Sequence, residues 1–308
     1  MLSDRRFGLP PHIDGTVCTV GTFDGVHRGH RLVLERLAER AKALGLPSVL
    51  VTFDPHPLEI VNPAAAPQLL TLAGEKSEVL AESPVDYVVV LPFTRALARY
   101  EAADFVDIVL RERLGARELL IGHDHGLGRA RAGDADVLRA LGAERGFGVE
   151  TVESVQGSDG WPISSTTIRR AVAGGDLARA ADGLGRPYSA NGLVRAGDGR
   201  GKSVGFPTLN LGAPASRKLL PPEGVYAVRV QTPVGSFGGM MNLGPRPTFG
   251  DTAASLEVHC FGLVDELYGA QVRVDFAARL RDTQRFEGVD ALRAQLVRDE
   301  SAARTALK

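Results

Sequence analysis

Two histidines three positions apart, His27 and His30, stand in the run GTFDGVHRGH at residues 21–30, directly after the apolar stretch Val17–Val20. A glycine turn that leaves a strand and opens a helix lets backbone N–H groups approach an anion, and imidazoles beside it can neutralise charge developing on a nucleotide phosphate. The same residues allow blander readings, as satisfied groups at a helix start or as half of a metal site. The helix that must carry them is legible in RLVLERLAERAKAL, where Leu32, Leu34, Leu37, Ala41 and Leu44 make one apolar stripe and charges fill the other face.

Further along the chain, VTFDPHP at 51–57 and IGHDHGLGRARAGD at 121–134 also end apolar runs with polar, turn-forming residues. Polar, glycine-rich loops at several strand ends are where an open parallel sheet binds its ligand. ISSTTIRR at 163–170 adds the hydroxyls of Ser164, Ser165 and Thr166, followed by Arg169 about a helical turn later. That pattern reads as a capped helix aimed at an anion, or as an ordinary capped surface helix. His123 and His125 flank Asp124, and with His27, His30 and His56 on one sheet edge a zinc cluster is conceivable. A phosphate site uses the same residues without closed tetrahedral coordination.

Composition bounds the partners. The chain has 308 residues, 44% hydrophobic and 24% charged, which leaves room for two cores of ordinary globular type. With 36 basic residues against 37 acidic, no global field draws it to nucleic acid or anionic lipid, and 6% aromatic content argues against base-stacking platforms. The first residues lack a signal-peptide core, and apolar runs such as VDYVVVLPF are too short to span a bilayer. The expected address is the cytoplasm, with no membrane partner. Cys18 and Cys260 lie far apart and outside any CxxC spacing, so neither a structural disulfide nor a cysteine zinc site is expected.

The positioning elements fall into two halves. Apolar strands near 16–20, 48–53, 86–91, 117–121 and 148–155 alternate with helical patterns near 29–44, 101–114 and 134–145, which implies a parallel sheet with helices on both faces. Two short helices, 165–173 and 176–183, close this half. From LGRPYSANG at 184–192 the pattern changes to short runs punctuated by Gly and Pro: GLVRA, GFPTLNL, GVYAVRVQT, GSFGGMMNL, SLEVHCFG and AQVRVDFAARL. Such spacing reads as an antiparallel barrel. A terminal helix in GVDALRAQLVRDESAARTALK is expected to pack across the barrel and to cover an opening or edge of it. The fold class is therefore α/β plus all-β, with domains 1–183 and 184–308 joined by a short hinge near Leu184–Pro187.

Together these residues resemble the bacterial bifunctional riboflavin kinase and FAD synthetase family over nearly the whole chain. The likeness rests on GTFDGVHRGH, TFDPHP, the Gly-Asp loop and ISSTTIRR in the first half, and on LGRPY, GFPTLNL, GVYAV, NLGPRPTF, LEVHCFG and DELYG in the second. The resemblance implies a Rossmann-like nucleotidyltransferase (FMN adenylyltransferase) domain followed by a small riboflavin-kinase barrel. It also implies riboflavin, FMN, FAD and ATP as substrates and products, and Mg²⁺ with ATP.

Carried over residue by residue, the resemblance puts His27 and His30 at the α-phosphate and leaving path, with Gly21, Phe23 and Gly25 as nucleotide contacts of the same loop. Asp24 organises that loop or serves its turn. Ser164, Ser165, Thr166 and Arg169 match the segment that grips the outer phosphates, and Asp124 is a further nucleotide-site candidate. In the second half Glu257 matches the catalytic glutamate, and Thr208 and Asn210 the Mg-ATP motif. GDGRGKSVG resembles a flap over the phosphates, with Gly201, Lys202 and Gly205 as contacts. By local pattern alone, Glu257 is an alternating strand residue and Thr208 and Asn210 belong to a turn after Pro207. The flap is not a Walker A loop, because Gly197, Gly199 and Gly201 are spaced by two inside a barrel.

One stretch departs from the family. Where relatives carry Asn/Asp-Phe-x-Phe-Gly, this chain has Asp124, His125, Gly126, Leu127 and Gly128. Two phenyl rings that could line a flavin or adenine pocket are missing, leaving His125 and Leu127 to replace part of that surface. Three readings follow: a two-activity enzyme, a riboflavin kinase with weakened adenylyl transfer, or a flavin-sensing protein without catalysis.

Overall fold

The computed structural model describes residues 9–123, 126–197, 200–212, 216–245 and 254–308. Two compact units emerge, one of residues through Pro67 with Lys76–Ser164, the other of Gln68–Glu75 with Ser165–Lys308.

The first unit alternates strand and helix. In order they are β1 (Thr16–Val20), α1 (Arg28–Leu44), β2 (Ser48–Asp54), α2 (Pro57–Val61), α3 (Ala73–Ala81), β3 (Tyr87–Pro92), α4 (Ala102–Asp104, continued by π-helical turns over Phe105–Arg113), β4 (Ala116–Gly122), α5 (Ala135–Arg145) and β5 (Gly148–Val152). The strands form one parallel sheet in the order β3-β2-β1-β4-β5. β1 (TVCTV) and all of β2 except Asp54 are buried, as continuous apolar and β-branched runs must be when helices cover both faces. At the edge, β3 alternates, exposing Val88 and Val90. α1 buries Val33, Leu34, Leu37 and Ala41 and ends on Gly45 at φ +65°. The expected stripe shifts slightly: Leu32 is half-buried and Leu44, in the last turn, is exposed.

Strand order reverses between β1 and β4, so the loops after these two strands flank the point where connections diverge to opposite sides. In sheets of this kind that crevice is the ligand site. The chain after β1 runs through GTFDGVHRGH into the first turn of α1, and β4 ends at Gly122. The final parallel strand stops at Val152 rather than 155, because the chain turns into a tight loop closed by a Gln156–Pro162 bridge.

The second unit contains α6 (Ser165–Ala173), α7 (Leu177–Leu184), β6 (Tyr188–Arg195), α8 (Arg200–Ser203), β7 (Leu209–Leu211), β8 (Gly224–Thr232), β9 (Gly235–Pro245), β10 (Ala254–Cys260), β11 (Gln271–Arg281) and α9 (Val289–Ala306). Strands β6–β11 close an antiparallel barrel in the order β10-β7-β6-β11-β8-β9. Side chains of cross-strand partners share a face, so the register sends Leu211, Leu256, Leu243, Tyr226 and Phe276 to the interior, all buried. Closure leaves no edge for a helix to cover. As expected, α9 packs across the barrel, on the outer wall of β8, β9 and β11, where Ala303, Leu296 and Leu307 meet Ala227, Met240 and Ala278. The Arg281 guanidinium anchors it by gripping the buried Asp299 carboxylate at 2.6 and 2.9 Å.

Residues 68–75 join this unit although they precede it by about a hundred positions. Leu69 donates its N–H to the Arg217 carbonyl at 2.6 Å and accepts from Leu219 at 2.9 Å. Glu75 and Lys218 form a buried ion pair at 2.7 Å.

Candidate active sites

In the first unit, the loop from Gly21 to His27, which leads into the first turn of α1, is shaped by backbone conformations that side chains resist. Phe23, Gly25 and Val26 have φ of +48°, +80° and +40°. For Phe and β-branched Val such angles cost about 1–3 kcal/mol each. Their side chains are 3% and 1% exposed, packed beside Leu34 and Leu37, and burial of that kind returns about 1.5–3 kcal/mol each. The strain and its compensation are thus of one order, and the loop is held open by its own core residues. Gly21 is required because a Cβ there would lie 2.9 Å from the Phe23 ring.

His27 caps α1, its Nδ1 accepting the His30 backbone N–H at 3.3 Å. An Nδ1 that accepts leaves Nε2 as the ring's donor when the imidazole is neutral. The two imidazoles stack with centroids 3.6 Å apart and planes 17° apart, and Phe23 lies 4.6 Å from the His30 ring. Gly29 permits the stack, since a Cβ there would sit 3.2 Å from the His27 ring. Asp24 is buried within the loop.

His56 takes a different role, capping α2 through Nδ1 to the Leu58 N–H while Glu59 accepts from the His56 N–H. Asp134 likewise caps α5. Among the described residues no three His, Cys, Asp or Glu side chains gather as a metal centre. Asp124 and His125 lie outside the described residues. Leu127, expected to replace part of a flavin-facing surface, is instead 4% exposed and packed in the core, its N–H and carbonyl paired with Gly133. Ser164 ends the first unit, whereas Ser165, Thr166 and Arg169 lie on α6 in the second.

A residue not anticipated from sequence supports the loop. Lys76 on α3 is 8% exposed, and its Nζ donates to the Thr22 carbonyl at 3.3 Å, the Thr52 hydroxyl at 3.2 Å and the Phe53 carbonyl at 2.9 Å. Burial pushes its ammonium below the usual lysine value, and the nearby Asp54 and Asp24 carboxylates partly offset this.

In the second unit, Asn210 on β7 registers against Glu257 on β10, and Glu257 against Asn242 on β9. Their neighbours fill the barrel, so these three share a row on its outer face. Ser255 donates its hydroxyl to Glu257 at 3.3 Å. Thr208 immediately precedes β7, and His259 Nδ1 lies 2.7 Å from the Pro207 carbonyl beside it. The glycines of the flap now have a reason. A Cβ on Gly197 would stand 2.0 Å from the Asn210 amide nitrogen, and one on Gly201 2.3 Å from the Phe206 carbonyl and 3.2 Å from the Thr208 hydroxyl. Gly205 turns the chain back at φ +88°. Gly199 and the Lys202 side chain lie outside the described residues. A hydroxyl and an amide oxygen under a glycine cradle are a donor set suited to a hard cation that keeps phosphate and water ligands. Asn242 opens the NLGPRPTF motif, but only the strand register puts it beside Glu257.

Comparison with known proteins meets these two sites. A FAD synthetase family model matches residues 9–167, and a riboflavin kinase model residues 184–307. The chain belongs to the bifunctional riboflavin kinase/FMN adenylyltransferase family. Members of that name from Pseudomonas fluorescens and Escherichia coli K12 are 41% and 39% identical, over 96% and 94% of this chain and 94% and 92% of theirs. The Bacillus subtilis member is 31% identical over 94% of this chain and 91% of its own. A Streptococcus pneumoniae structure solved as a macrolide-efflux protein superposes with a TM-score of 0.87 at 29% identity, over 98% of this chain and 97% of that one. Among the described residues here, no helix is long and apolar enough to cross a membrane.

Proposed function

We propose that this chain phosphorylates riboflavin to FMN with ATP and then adenylylates FMN to FAD, releasing pyrophosphate. The reading is supported by two arrangements in the matched domains: His27 and His30 stacked where the strained loop enters α1, and Asn210 in register with Glu257 next to Thr208. By sequence range, we assign adenylyl transfer to 1–183 and phosphorylation to 184–308, with residues 68–75 and 165–183 packing in the second unit.

For phosphorylation, the 5′-hydroxyl of riboflavin attacks the γ-phosphorus of ATP while Glu257 accepts its proton, and the bond to the β,γ-bridging oxygen breaks to release ADP. Thr208 and Asn210 would hold Mg²⁺, which supplies neutralising charge to the β- and γ-phosphates. The flap around Gly197, Gly201 and Gly205, with Lys202, closes over those phosphates. For adenylyl transfer, the FMN phosphate is already anionic at neutral pH, so positioning and charge stabilisation suffice. His27 and His30 stabilise the α-phosphate and departing pyrophosphate, with Gly21, Phe23 and Gly25 shaping the contact. By the resemblance, Ser164, Ser165, Thr166 and Arg169 are assigned to the outer phosphates, and Asp124 is a further nucleotide-contact candidate. The cytoplasmic address is part of this reading, supported by the free, buried thiols Cys18 and Cys260.

Purified protein given riboflavin, ATP and Mg²⁺ tests it by chromatography of flavins over time. FMN should rise first and FAD follow. FMN accumulating alone at saturating ATP would leave only the kinase.

A further inference from the structure

We propose that Lys76 is a positioning residue for adenylyl transfer, holding the strained loop after β1 in the conformation that receives the phosphates. This rests on the assignment of that loop to the ATP phosphates. Thr22, whose carbonyl Lys76 binds, immediately precedes Phe23, the first residue with positive φ. The same carbonyl accepts the Thr52 hydroxyl at 3.0 Å. A trans peptide sets its N–H opposite its C=O, so two donors fixing Thr22 oxygen also fix the direction of the Phe23 N–H. Backbone N–H direction is what an anion-binding loop must control.

The acceptors also exclude a direct role on substrate. An ammonium has three donors, and here they meet Thr22, Thr52 and Phe53. Contact with a phosphate would require giving one up. Phe53 is the penultimate residue of β2, beside Asp54, so one side chain ties the loop after β1 to the end of β2. Burying a lysine that could have reached water is costly, and a filler role would be met more cheaply by Met or Leu. What only the ammonium supplies is a charge-assisted grip on a particular carbonyl.

The test is the steady-state kinetics of both reactions in the intact protein. Lys76→Met should lower kcat for FAD synthesis from supplied FMN by about tenfold to a hundredfold, the scale of a slightly misplaced reacting group. KM for ATP and FMN should stay within about twofold, because the lost interaction acts on the transition state. Riboflavin phosphorylation should be unchanged in the same sample. Wild-type kcat for FAD synthesis, or an equal fall in both reactions, would overturn the proposal. Thr52→Val provides a milder route should Lys76→Met fold poorly. It should cost about threefold to tenfold in kcat, while Thr52→Ser, which keeps the hydroxyl, should match wild type. Equal rates for Val and Ser variants would also overturn it. His30→Ala separates the proposal from its premise. Full FAD synthesis there would refute the loop assignment itself, whereas its loss beside an unaffected Lys76→Met would refute only the role of Lys76.

Discussion

Replacing Lys218 by methionine should weaken the second unit far more than loss of an ordinary ion pair. The Lys218 and Glu75 side chains are 1% and 6% exposed, and Nζ lies 2.7 Å from both the Glu75 carboxylate and the Leu70 carbonyl. The ammonium also stands 4.7 Å from the centre of the Tyr188 ring. Were the pair exposed, its removal would cost about 0–1 kcal/mol. Buried, the deletion leaves the carboxylate, among the described residues, with the Leu72 and Asn191 N–H donors, both at 2.8 Å, and without its lysine countercharge. Stranding a buried charge in this way costs about 3–5 kcal/mol. At about 2–4 °C per kcal/mol for a unit of this size, the midpoint should fall by about 6–20 °C. Calorimetry with residual riboflavin phosphorylation after heating would follow it. Glu75→Gln in the Lys218→Met background should recover a large part, since a neutral amide still accepts a backbone N–H without burying charge. A Lys218→Met midpoint within about 1 °C of wild type, or no recovery in the double variant, would refute the reasoning.

Three further substitutions test the division of labour. Glu257→Gln should cut riboflavin phosphorylation by about a hundredfold or more, the scale of a lost general base, and spare FAD formation from supplied FMN. His30→Ala should show the opposite selectivity, with FAD synthesis down by about 10² to 10³ and phosphorylation near wild type. Metal analysis of the wild type should find no stoichiometric zinc. Gly197→Ala would place a Cβ 2.0 Å from the Asn210 amide, so KM for ATP in the kinase reaction should rise while adenylyl transfer is unaffected. An unchanged KM would mean that the flap does not bear on Asn210 during turnover.

Local pattern captured the elements well where one periodicity dominated. The five parallel strands and the six barrel strands were each signalled by apolar runs between turn residues, and α6 matches its expected bounds of 165–173. Short helices escaped. α2 spans Pro57–Val61 and buries no residue, so it has no amphipathic stripe to read, and its cap is a histidine rather than Ser, Thr or Asp. For α9, packing across the barrel was legible, but the surface it covers was not. A helix of this pattern must cover something apolar, but whether that is a sheet edge or a barrel wall depends on closure, which only strand pairing decides.

Glu75 and Lys76 show why supporting residues were harder to read than reacting ones. GTFDGVHRGH and GFPTLN act within a few residues of themselves, so their types and spacing already contain the chemistry. An adjacent Glu and Lys at a helix start read instead as a solvated, capped turn. Burial inverts that meaning: Glu75 is held by Lys218, and Lys76 is spent on Thr22, Thr52 and Phe53. None of these partners is within twenty positions, and carbonyl acceptors have no side-chain signature. Charges so placed can be found only once the register of the chain is known. Their substitution should therefore show the long-range cost that exposed charges of identical sequence context would not.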